Sequence, residues 1–273
     1  MTETLRLMCV LAHPDDESLG VGGTLARYSA EGIQTYVVTA TRGERGRFGS
    51  GIEFPGFSAV GELREGELLA AARELGVREV RFLDYMDGDL DQARPKEVVE
   101  RIVAELQRVR PQVVLTFGPE GAYGHPDHIA ICQFTTAAIL CAADPDYSAA
   151  RAQPSSSSAH RVSKLYYIAW TRDKWAAYQA AFRDLKTKVD GVERRVTPWP
   201  DWAVTSVIDT HAYWAPVWRA VCCHKSQLAI YSRLEYLSEE QHRAIWGTQE
   251  YYRVLSLVNG GRKLETDLFE GLR

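Results

Sequence analysis

The chain has 273 residues, of which 45% are hydrophobic and 25% charged, so it can bury the core of one large domain. A net charge of −4 and a pI near 6.0 give no reason to expect nucleic-acid binding, which usually needs a basic face. The sequence has no apolar run long enough to cross a membrane and no signal-peptide pattern in residues 1–7, so we expect a cytoplasmic protein that binds neither nucleic acid nor membrane.

Strand and helix signals alternate through the first half of the chain. Short runs rich in apolar or β-branched residues predict strands over residues 5–12, 33–40, 80–83 and 113–117. Helices are predicted over 19–28, 63–75, 95–109 and 129–141, with Gly32, Gly76 and Pro95 at helix boundaries. This alternation predicts an α/β fold with a doubly wound, Rossmann-like and mostly parallel sheet.

The second half of the chain is less regular. Residues 148–160 are rich in serine and predict a mobile surface loop. Strands are predicted over 165–170 and 204–208, followed by a long helix over 213–230 and an aromatic-rich tail. We expect one domain over 1–273, with its α/β core in 1–145 and a C-terminal extension, 146–273, that completes the fold.

The cysteines are odd in number and lie mostly in apolar surroundings. Two of them are adjacent, and neighbouring residues of a helix point in different directions and rarely form a disulfide. The spacing also lacks the CxxC pairs of a structural zinc site. We expect all five to be reduced core residues: Cys9, Cys132, Cys141, Cys222 and Cys223.

A cluster of polar residues follows the first predicted strand, in the order His13-Pro14-Asp15-Asp16-Glu17. Residues just past the carboxyl end of a parallel strand face the ligand crevice. His13 and Asp16 supply an imidazole and a carboxylate within one turn, two of the ligand types that zinc binds, and Pro14 stiffens that turn. The alternative is that the acidic residues only cap the following helix.

A second cluster follows the fourth predicted strand, and its sequence is Tyr123-Gly124-His125-Pro126-Asp127-His128. Strands one and four are often neighbours in a doubly wound sheet, so the two turns could converge on one ion. His13, Asp16 and His128 would then form a site with two histidines, one aspartate and an open position for water. This arrangement is typical of a catalytic zinc.

The two clusters together resemble the motifs of the LmbE-like, or PIG-L, zinc-dependent N-deacetylases. That family includes deacetylases of N-acetylglucosaminyl-phosphatidylinositol and of the GlcNAc conjugates of mycothiol and bacillithiol synthesis. The resemblance covers roughly the first half of the chain and implies an LmbE-like fold. It extends to Thr41-Arg42-Gly43-Glu44 with Gly46, to Arg64 with Glu67 and, more weakly, to His224-Lys225-Ser226-Gln227.

The resemblance also implies roles for the residues at the metal. His13, Asp16 and His128 would be the ligands of Zn²⁺, or of Fe²⁺ or Co²⁺ in its place. Asp15, which is adjacent to a ligand yet free of the metal, would be the general base.

Three residues of the second cluster would act on the substrate. His125, paired with Asp127, would stay protonated and either stabilise the oxyanion or protonate the leaving amine. Tyr123 would donate a hydrogen bond to the same oxygen, or would only pack in the core. Glu17 is expected to brace the first turn through backbone amides.

Four further residues are candidates for substrate binding. Arg42, Glu44 and Arg64 match family residues near the substrate groove, and an arginine there can hold a hydroxyl or an acidic group. A solvated surface pair is the alternative for these residues. His224 would form a wall of the site or, alternatively, occupy a core position.

We therefore predict a metal-dependent hydrolase that removes the acetyl group from an N-acetylated amino sugar or a related small-molecule conjugate. The alternatives are an amidase of a thiol conjugate with the same metal site, and a non-catalytic sugar- or metal-binding protein that kept the fold. Asp15 argues against the second alternative, because binding has no use for a free base. Residues 19–23 lack the GxGxxG spacing, which argues against dinucleotide binding. The sequence leaves the oligomeric state open.

Overall fold

A computed structural model describes residues 4–46, 48, 54–149, 158–181, 186–189, 191–228, 232–261 and 263–273. The strands are β1 (Arg6–Leu11), β2 (Gln34–Thr41), β3 (Glu79–Tyr85), β4 (Val113–Thr116), β5 (Lys164–Ile168), β6 (Lys186–Val189), β7 (Val192–Arg195), β8 (Ser206–Asp209) and β9 (Thr248–Ser256). The helices are α1 (Asp16–Ala30), α2 (Phe57–Glu74), α3 (Pro95–Val109), α4 (Gly121–Gly124), α5 (Pro126–Ala143), α6 (Pro145–Ala149), α7 (Arg172–Ala181), α8 (Trp214–Cys223) and α9 (Glu239–Trp246). Short 3₁₀ segments lie at Leu90–Gln92, Asp201–Ala203, His211–Tyr213 and Ser232–Tyr236.

The main sheet has seven strands in the order β3-β2-β1-β4-β5-β9-β8. The first five strands of this order are parallel, whereas β9 pairs antiparallel with both β5 and β8. The prediction of a mostly parallel α/β sheet is therefore confirmed. The central strands β1 and β4 are nearly continuous apolar runs because helices cover both faces of the sheet, whereas β3 at the edge carries charged residues.

The neighbouring strands β1 and β4 decide where the site forms. They pair in parallel, with Leu7 opposite Val113 and Cys9 opposite Leu115. All four side chains are fully buried. Because the order along the sheet reverses between these two strands, the turns that follow them open into one crevice.

Helices pack in a layer on each face of the sheet. One layer contains α3 and α5, and the other contains α1, α2 and α8. Pro95 is the first residue of α3. A backbone N–H at this position has no acceptor within the helix, so proline, which lacks the N–H, loses no hydrogen bond there. Apolar positions of α3 recur at helical spacing and are buried against the sheet at Val98, Ile102 and Leu106.

Three elements of the second half differ from the prediction. The helix predicted over 213–230 ends at Cys223, because His224 leaves the helical conformation with a ψ of 60°. The chain then turns at Ser226, whose backbone N–H and hydroxyl both donate to Glu67. The predictions also missed β9 and the hairpin of β6 and β7, which is a sheet of its own.

The structure also bears on the expectations for the cysteines, for the serine-rich loop and for membrane-crossing helices. All five cysteines are free, and Cys9 and Cys132 are buried. The other three are only half-buried, so the prediction that all five lie in the core is wrong for them. Much of the predicted loop at 148–160 lies outside the described residues. Among the helices of the described ranges, none combines the length and the hydropathy that a membrane crossing requires.

Candidate active site

The turn after β1 is held by its own carboxylates. Asp16 Oδ2 accepts the backbone N–H groups of Ala12 and His13, at 3.2 and 2.8 Å. Glu17 Oε2 accepts the backbone N–H of Asp15 at 2.9 Å, so Glu17 braces the turn as predicted. Asp15 has a φ of 103°, a conformation that side chains rarely adopt. This backbone conformation separates the directions of Asp15 and Asp16 and is typical of functional sites.

The turn after β4 carries the second cluster. It runs through α4, a single distorted turn in which Ala122 has a φ of 62°. Pro126 then begins α5, and the backbone N–H of Asp127 donates to His125 Nδ1 at 3.2 Å. The His125 ring therefore caps the helix, and its Nε2 is the ring nitrogen that carries the proton when the ring is neutral.

Three side chains meet where the two turns converge. His13 Nδ1 lies 3.2 Å from His128 Nε2 and 3.7 Å from Asp16 Oδ2. His128 Nε2 lies 3.6 Å from Asp16 Oδ1. These separations are those of atoms that surround one small cation at about 2 Å. The structure brings His13, Asp16 and His128 close together, and their role as metal ligands stays a prediction.

Neighbouring groups fix the orientation of both imidazole rings. The ring of Phe117 stacks on that of His128, with centroids 3.9 Å apart. Burial lowers the pKa of His128 well below its usual range, so the ring is neutral and can bind a metal. His13 Nε2 lies 3.1 Å from a carboxylate oxygen of Asp127 and 3.1 Å from one of Asp87. Burial opposes a charge on His13, but these hydrogen bonds dominate and hold its pKa well above the usual value.

Asp87 is a site residue that the sequence analysis missed. It follows the carboxyl end of β3, is buried, and bonds the same nitrogen of His13 as Asp127 does. Hydrogen bonds and the charge of His13 outweigh burial and lower the pKa of Asp87. Its position after a strand end was the one signal in the sequence. No recurring motif surrounds it, and the deciding contact is formed only in the folded chain.

The surroundings of Asp127 correct the predicted pairing with His125. The Asp127 carboxylate accepts from His13 Nε2 and from the backbone N–H groups of Gly88 and Leu90, at 2.7 and 3.2 Å. Burial and the nearby His13 lower the pKa of His125 to about 4. His125 is therefore neutral near pH 7, contrary to the prediction that it stays protonated. Burial raises the pKa of Tyr123, so its phenol keeps its proton.

Arg64 reaches Asp15 from helix α2. Its Nη2 atom donates to Pro14 O and lies 3.2 Å from Asp15 Oδ2, and its Nη1 atom donates to Gly43 O. Arg64 is only 4% exposed. It therefore fixes the Asp15 carboxylate at the floor of the pocket.

The other three candidates for substrate binding do not line the pocket in the described part of the chain. Arg42 pairs with Glu65 and Asp84. Glu44 accepts the backbone N–H of Asp87. His224 is fully buried and bonds Glu17 Oε1 at 2.7 Å, so it occupies the core position that was its alternative. Glu44 and His224 therefore hold residues of the site in place, through Asp87 and Glu17, whereas the carboxylates that pair with Arg42 lie outside it.

These groups open into a pocket of about 480 Å³. Its floor contains Asp15, Asp16, Asp87 and the three histidines of the two turns. One wall is aromatic, where Trp170 stacks on Tyr178 with centroids 4.7 Å apart. Such a volume, lined by both charged and aromatic side chains, suits a polar small molecule.

The part of the chain that matches a known protein family contains both polar turns. Residues 8–139 match the family described as PIG-L: GlcNAc-PI de-N-acetylase. Over 98% of its length the chain is 35% identical to a protein of Streptomyces griseus subsp. griseus, and the match covers 89% of that protein. The relative is named 1D-myo-inositol 2-acetamido-2-deoxy-alpha-D-glucopyranoside deacetylase. The chain belongs to the PIG-L family.

Solved structures share this PIG-L fold at lower identity. N,N'-diacetylchitobiose deacetylase from Pyrococcus horikoshii has a TM-score of 0.69 at 19% identity, covering 91% of this chain and 83% of its own. GalB, the 4-carboxy-2-hydroxymuconate hydratase from Pseudomonas putida KT2440, has a TM-score of 0.68 at 19% identity, covering 94% and 99%. Because a deacetylase and a hydratase both have this architecture, the fold alone does not determine the reaction.

The donor set fits the divalent ion on which PIG-L deacetylases depend. Two imidazole nitrogens and one carboxylate leave an open position, which is the composition of a catalytic site. Ligand atoms of His13, His125 and His128 also lie within 4.8 Å of one another. Because Nδ1 of His125 already accepts a backbone hydrogen bond, this contact favours Asp16 as the third ligand, and that assignment stays a prediction.

Proposed function

We propose that this protein is a metal-dependent hydrolase that removes the acetyl group from an N-acetylated amino sugar or a related small-molecule conjugate. The observation that carries the proposal is the position of Asp15. Its carboxylate lies in the pocket beside the converging His13, Asp16 and His128 but is held by Arg64 instead of joining that group. A protein that only binds a sugar or a metal has no need of such a base.

The proposed metal is Zn²⁺, or Fe²⁺ or Co²⁺ in its place, held by His13 Nδ1, Asp16 and His128 Nε2. When bound, it supplies a Lewis acid that acidifies water and polarises the acetamide carbonyl. The bonds from His13 Nε2 to Asp87 and Asp127 support this assignment. They would keep the proton of the neutral ring on Nε2, so that Nδ1 could bind a metal in place of its own proton, and they increase the basicity of the ring.

The protein's own groups perform the proton transfers and stabilise charge. Asp15 accepts the proton of the attacking water, and that proton is then available to the departing amine. Tyr123 and the Nε2–H of His125 donate hydrogen bonds to the acetamide oxygen as negative charge develops on it. Both donors are neutral and need no change of protonation to act.

The pocket supports an amino sugar as the acylated substrate. Its volume holds a sugar ring, and the Trp170–Tyr178 wall offers a flat apolar surface for the ring face. The glycoside named for the Streptomyces griseus relative contains such a group, 2-acetamido-2-deoxyglucose linked to myo-inositol. It is therefore the first compound to test.

The test is an assay of acetate release from this glycoside by three preparations of the protein. Metal-loaded protein should release acetate, chelator-treated protein should not, and added Zn²⁺ should restore the activity. With metal present, Asp15→Asn should lose about 10²–10⁴-fold of the parent activity, whereas the exposed Asp91→Asn should behave as the parent. If metal-loaded protein releases no acetate from this or other N-acetylated amino sugars, the proposal is wrong. Release of an amine from a thiol conjugate without acetate would favour the amidase alternative.

A further inference from the structure

The hairpin of β6 and β7 forms one side of the pocket mouth. Lys186 and Thr187, at the start of β6, line the pocket. The hairpin and the segment that follows it are held against the α4 turn by two hydrogen bonds, from Arg194 Nη1 to Gly124 O at 3.2 Å and from Thr197 N to Ala122 O at 3.4 Å. The hairpin is therefore attached to the turn that carries Tyr123 and His125.

The hairpin is positively charged in a protein that is negative overall. Residues 186–195 contain two acidic and four basic residues, which gives a net charge of +2 by sequence, whereas the whole chain carries −4. On the described strands, Glu193 is the acidic partner of both Lys186 Nζ, at 2.9 Å, and Arg195 Nη2, at 2.7 Å. On the described strands one carboxylate is thus shared by two cations, and by sequence the hairpin carries a net positive charge.

Lys186 differs from the other cations that line the pocket in the described ranges. Arg64 is held by Asp15, and Arg45 forms a bidentate pair with Asp89 at 2.6 and 2.7 Å. Each of these guanidinium groups has a carboxylate to itself. Lys186 shares its carboxylate with Arg195, and 49% of its side chain is exposed to incoming molecules.

We propose that Lys186 selects substrates that carry an anionic group, such as a carboxylate or a phosphate, on the aglycone of the amino sugar. The inference rests on the proposed function and names the substrate class of the same site. The acetamide lies at the floor beside Asp15, and the aglycone extends toward the hairpin. An ammonium group attracts an anion at this partly exposed position with a strength that falls as salt rises.

The experiment compares two glycosides of N-acetylglucosamine with matched aglycones, 2-carboxyethyl and propyl. The measured quantity is the ratio of their kcat/KM values for the metal-loaded protein, at low salt and at about 0.5 M KCl, where exposed charges are screened. At low salt the ratio should favour the carboxyethyl glycoside by about two- to fivefold, which is the range of an exposed ion pair. The preference should shrink toward unity at high salt.

Two variants identify the residue responsible. Lys186→Met should lower the ratio to about one. Lys188→Met removes the same charge from the same strand, opposite Glu193, but Lys188 does not line the pocket, so this variant should keep the parent ratio. A ratio near one in the parent protein, or a full preference in Lys186→Met, would overturn the inference while leaving the deacetylase proposal intact. If neither glycoside is hydrolysed, the proposed function fails and this inference fails with it.

Discussion

Two adjacent carboxylates, Asp15 and Asp16, have different surroundings at the pocket floor. Asp16 faces the imidazoles of His13 and His128, and burial raises its pKa to about 7. Asp15 faces Arg64 instead. The left-handed backbone at Asp15 turns the two side chains apart, so neighbours in sequence can have separate roles.

Substitutions should separate these roles. Asp15→Asn keeps size and polarity but cannot accept a proton, so we expect normal metal content and a fall in kcat of about 10²–10⁴-fold. Asp16→Ala should lose the metal together with activity. Elemental analysis of the purified variants and kcat at saturating substrate measure the two effects. An Asp15→Asn protein that loses its metal, or that keeps most of its turnover, would contradict the assignment.

Asp127 should affect metal affinity without touching the metal. It is fully buried and bonds His13 Nε2, thereby holding the ring with Nδ1 toward the cluster. We expect Asp127→Asn to weaken zinc affinity by about 10–100-fold, because an amide polarises the imidazole less than a carboxylate does. Competition with a chromophoric chelator measures the affinity. Asp89→Asn, which removes only the exposed partner of Arg45, is the control and should retain parent affinity.

At the scale of elements, helix α1 packs unusually close to its neighbours through glycine. A Cβ added at Gly23 would lie 2.7 Å from Thr210 Cβ, and one at Gly22 would lie 3.3 Å from Val217 of α8. Glycine inside a helix costs about 1 kcal/mol relative to alanine. The close approach of α1 to α8 explains why this cost is tolerated here, since no nucleotide-binding pattern accounts for these glycines.

Two glycine-to-alanine substitutions should have opposite effects on stability. Gly23→Ala should destabilise the protein by about 1–3 kcal/mol, because the added methyl group overpacks the contact with Thr210. Gly66→Ala lies on the exposed face of α2 with nothing within 4 Å, and it should stabilise by up to about 1 kcal/mol. Urea unfolding of both variants gives the free energies. Equal stability of the two variants would show that α1 can shift without cost.

At the scale of the whole molecule, Glu265 joins the C-terminal segment to the sheet. Its carboxylate accepts from Lys164 Nζ at 2.9 Å, Tyr166 OH at 2.8 Å and Ser206 Oγ at 2.7 Å. Arg253 Nη1 lies 2.9 Å from the same carboxylate. These residues come from β5, β8 and β9, so one buried charge cluster connects the antiparallel edge of the sheet to the end of the chain.

Removal of this charge should destabilise the fold. Glu265→Gln leaves the fully buried Lys164 without an anionic partner, and the expected loss is about 3–5 kcal/mol of unfolding free energy. Glu270→Gln is the matched control. Its partner Lys263 is exposed and 3.6 Å away, so the change should stay below about 0.5 kcal/mol. If the two variants lost similar amounts of unfolding free energy, the effect would come from any change in the C-terminal segment and not from the buried charge of Glu265.

The stabilisation that the Glu265 carboxylate provides should depend on pH. Burial alone would raise the pKa of Glu265, but hydrogen bonds from Asn259, Lys164 and other neighbours lower it to about 2. Because the folded pKa lies below the unfolded value of about 4.3, the stabilisation is complete above pH ~4.3 and is lost as the pH falls toward 2. The difference in unfolding free energy between the parent and Glu265→Gln should therefore shrink on acidification. A difference that grows below pH 4 would contradict this prediction.

The sequence by itself determined the strands of the first half and the two polar turns, because the pattern that identifies each of them lies within a few consecutive residues. Buried strands such as β1 and β4 are short apolar runs, and Pro14 and Pro126 mark the turns that follow them. The second half was harder to predict. The hairpin of β6 and β7 has an Asp190-Gly191 signal that we overlooked, and β9 lies in a stretch whose aromatic residues did not distinguish strand from tail.

Only the tertiary structure decided which distant groups bond one another. His13 bonds the carboxylates of Asp87 and Asp127 because the sheet places the ends of β1, β3 and β4 near one another. Asp127 was expected beside His125, two residues away, yet its carboxylate bonds a ring 114 positions earlier in the chain. Local spacing sets which side chains share a turn, whereas hydrogen bonds form between atoms that the packing of several strands brings within about 3 Å.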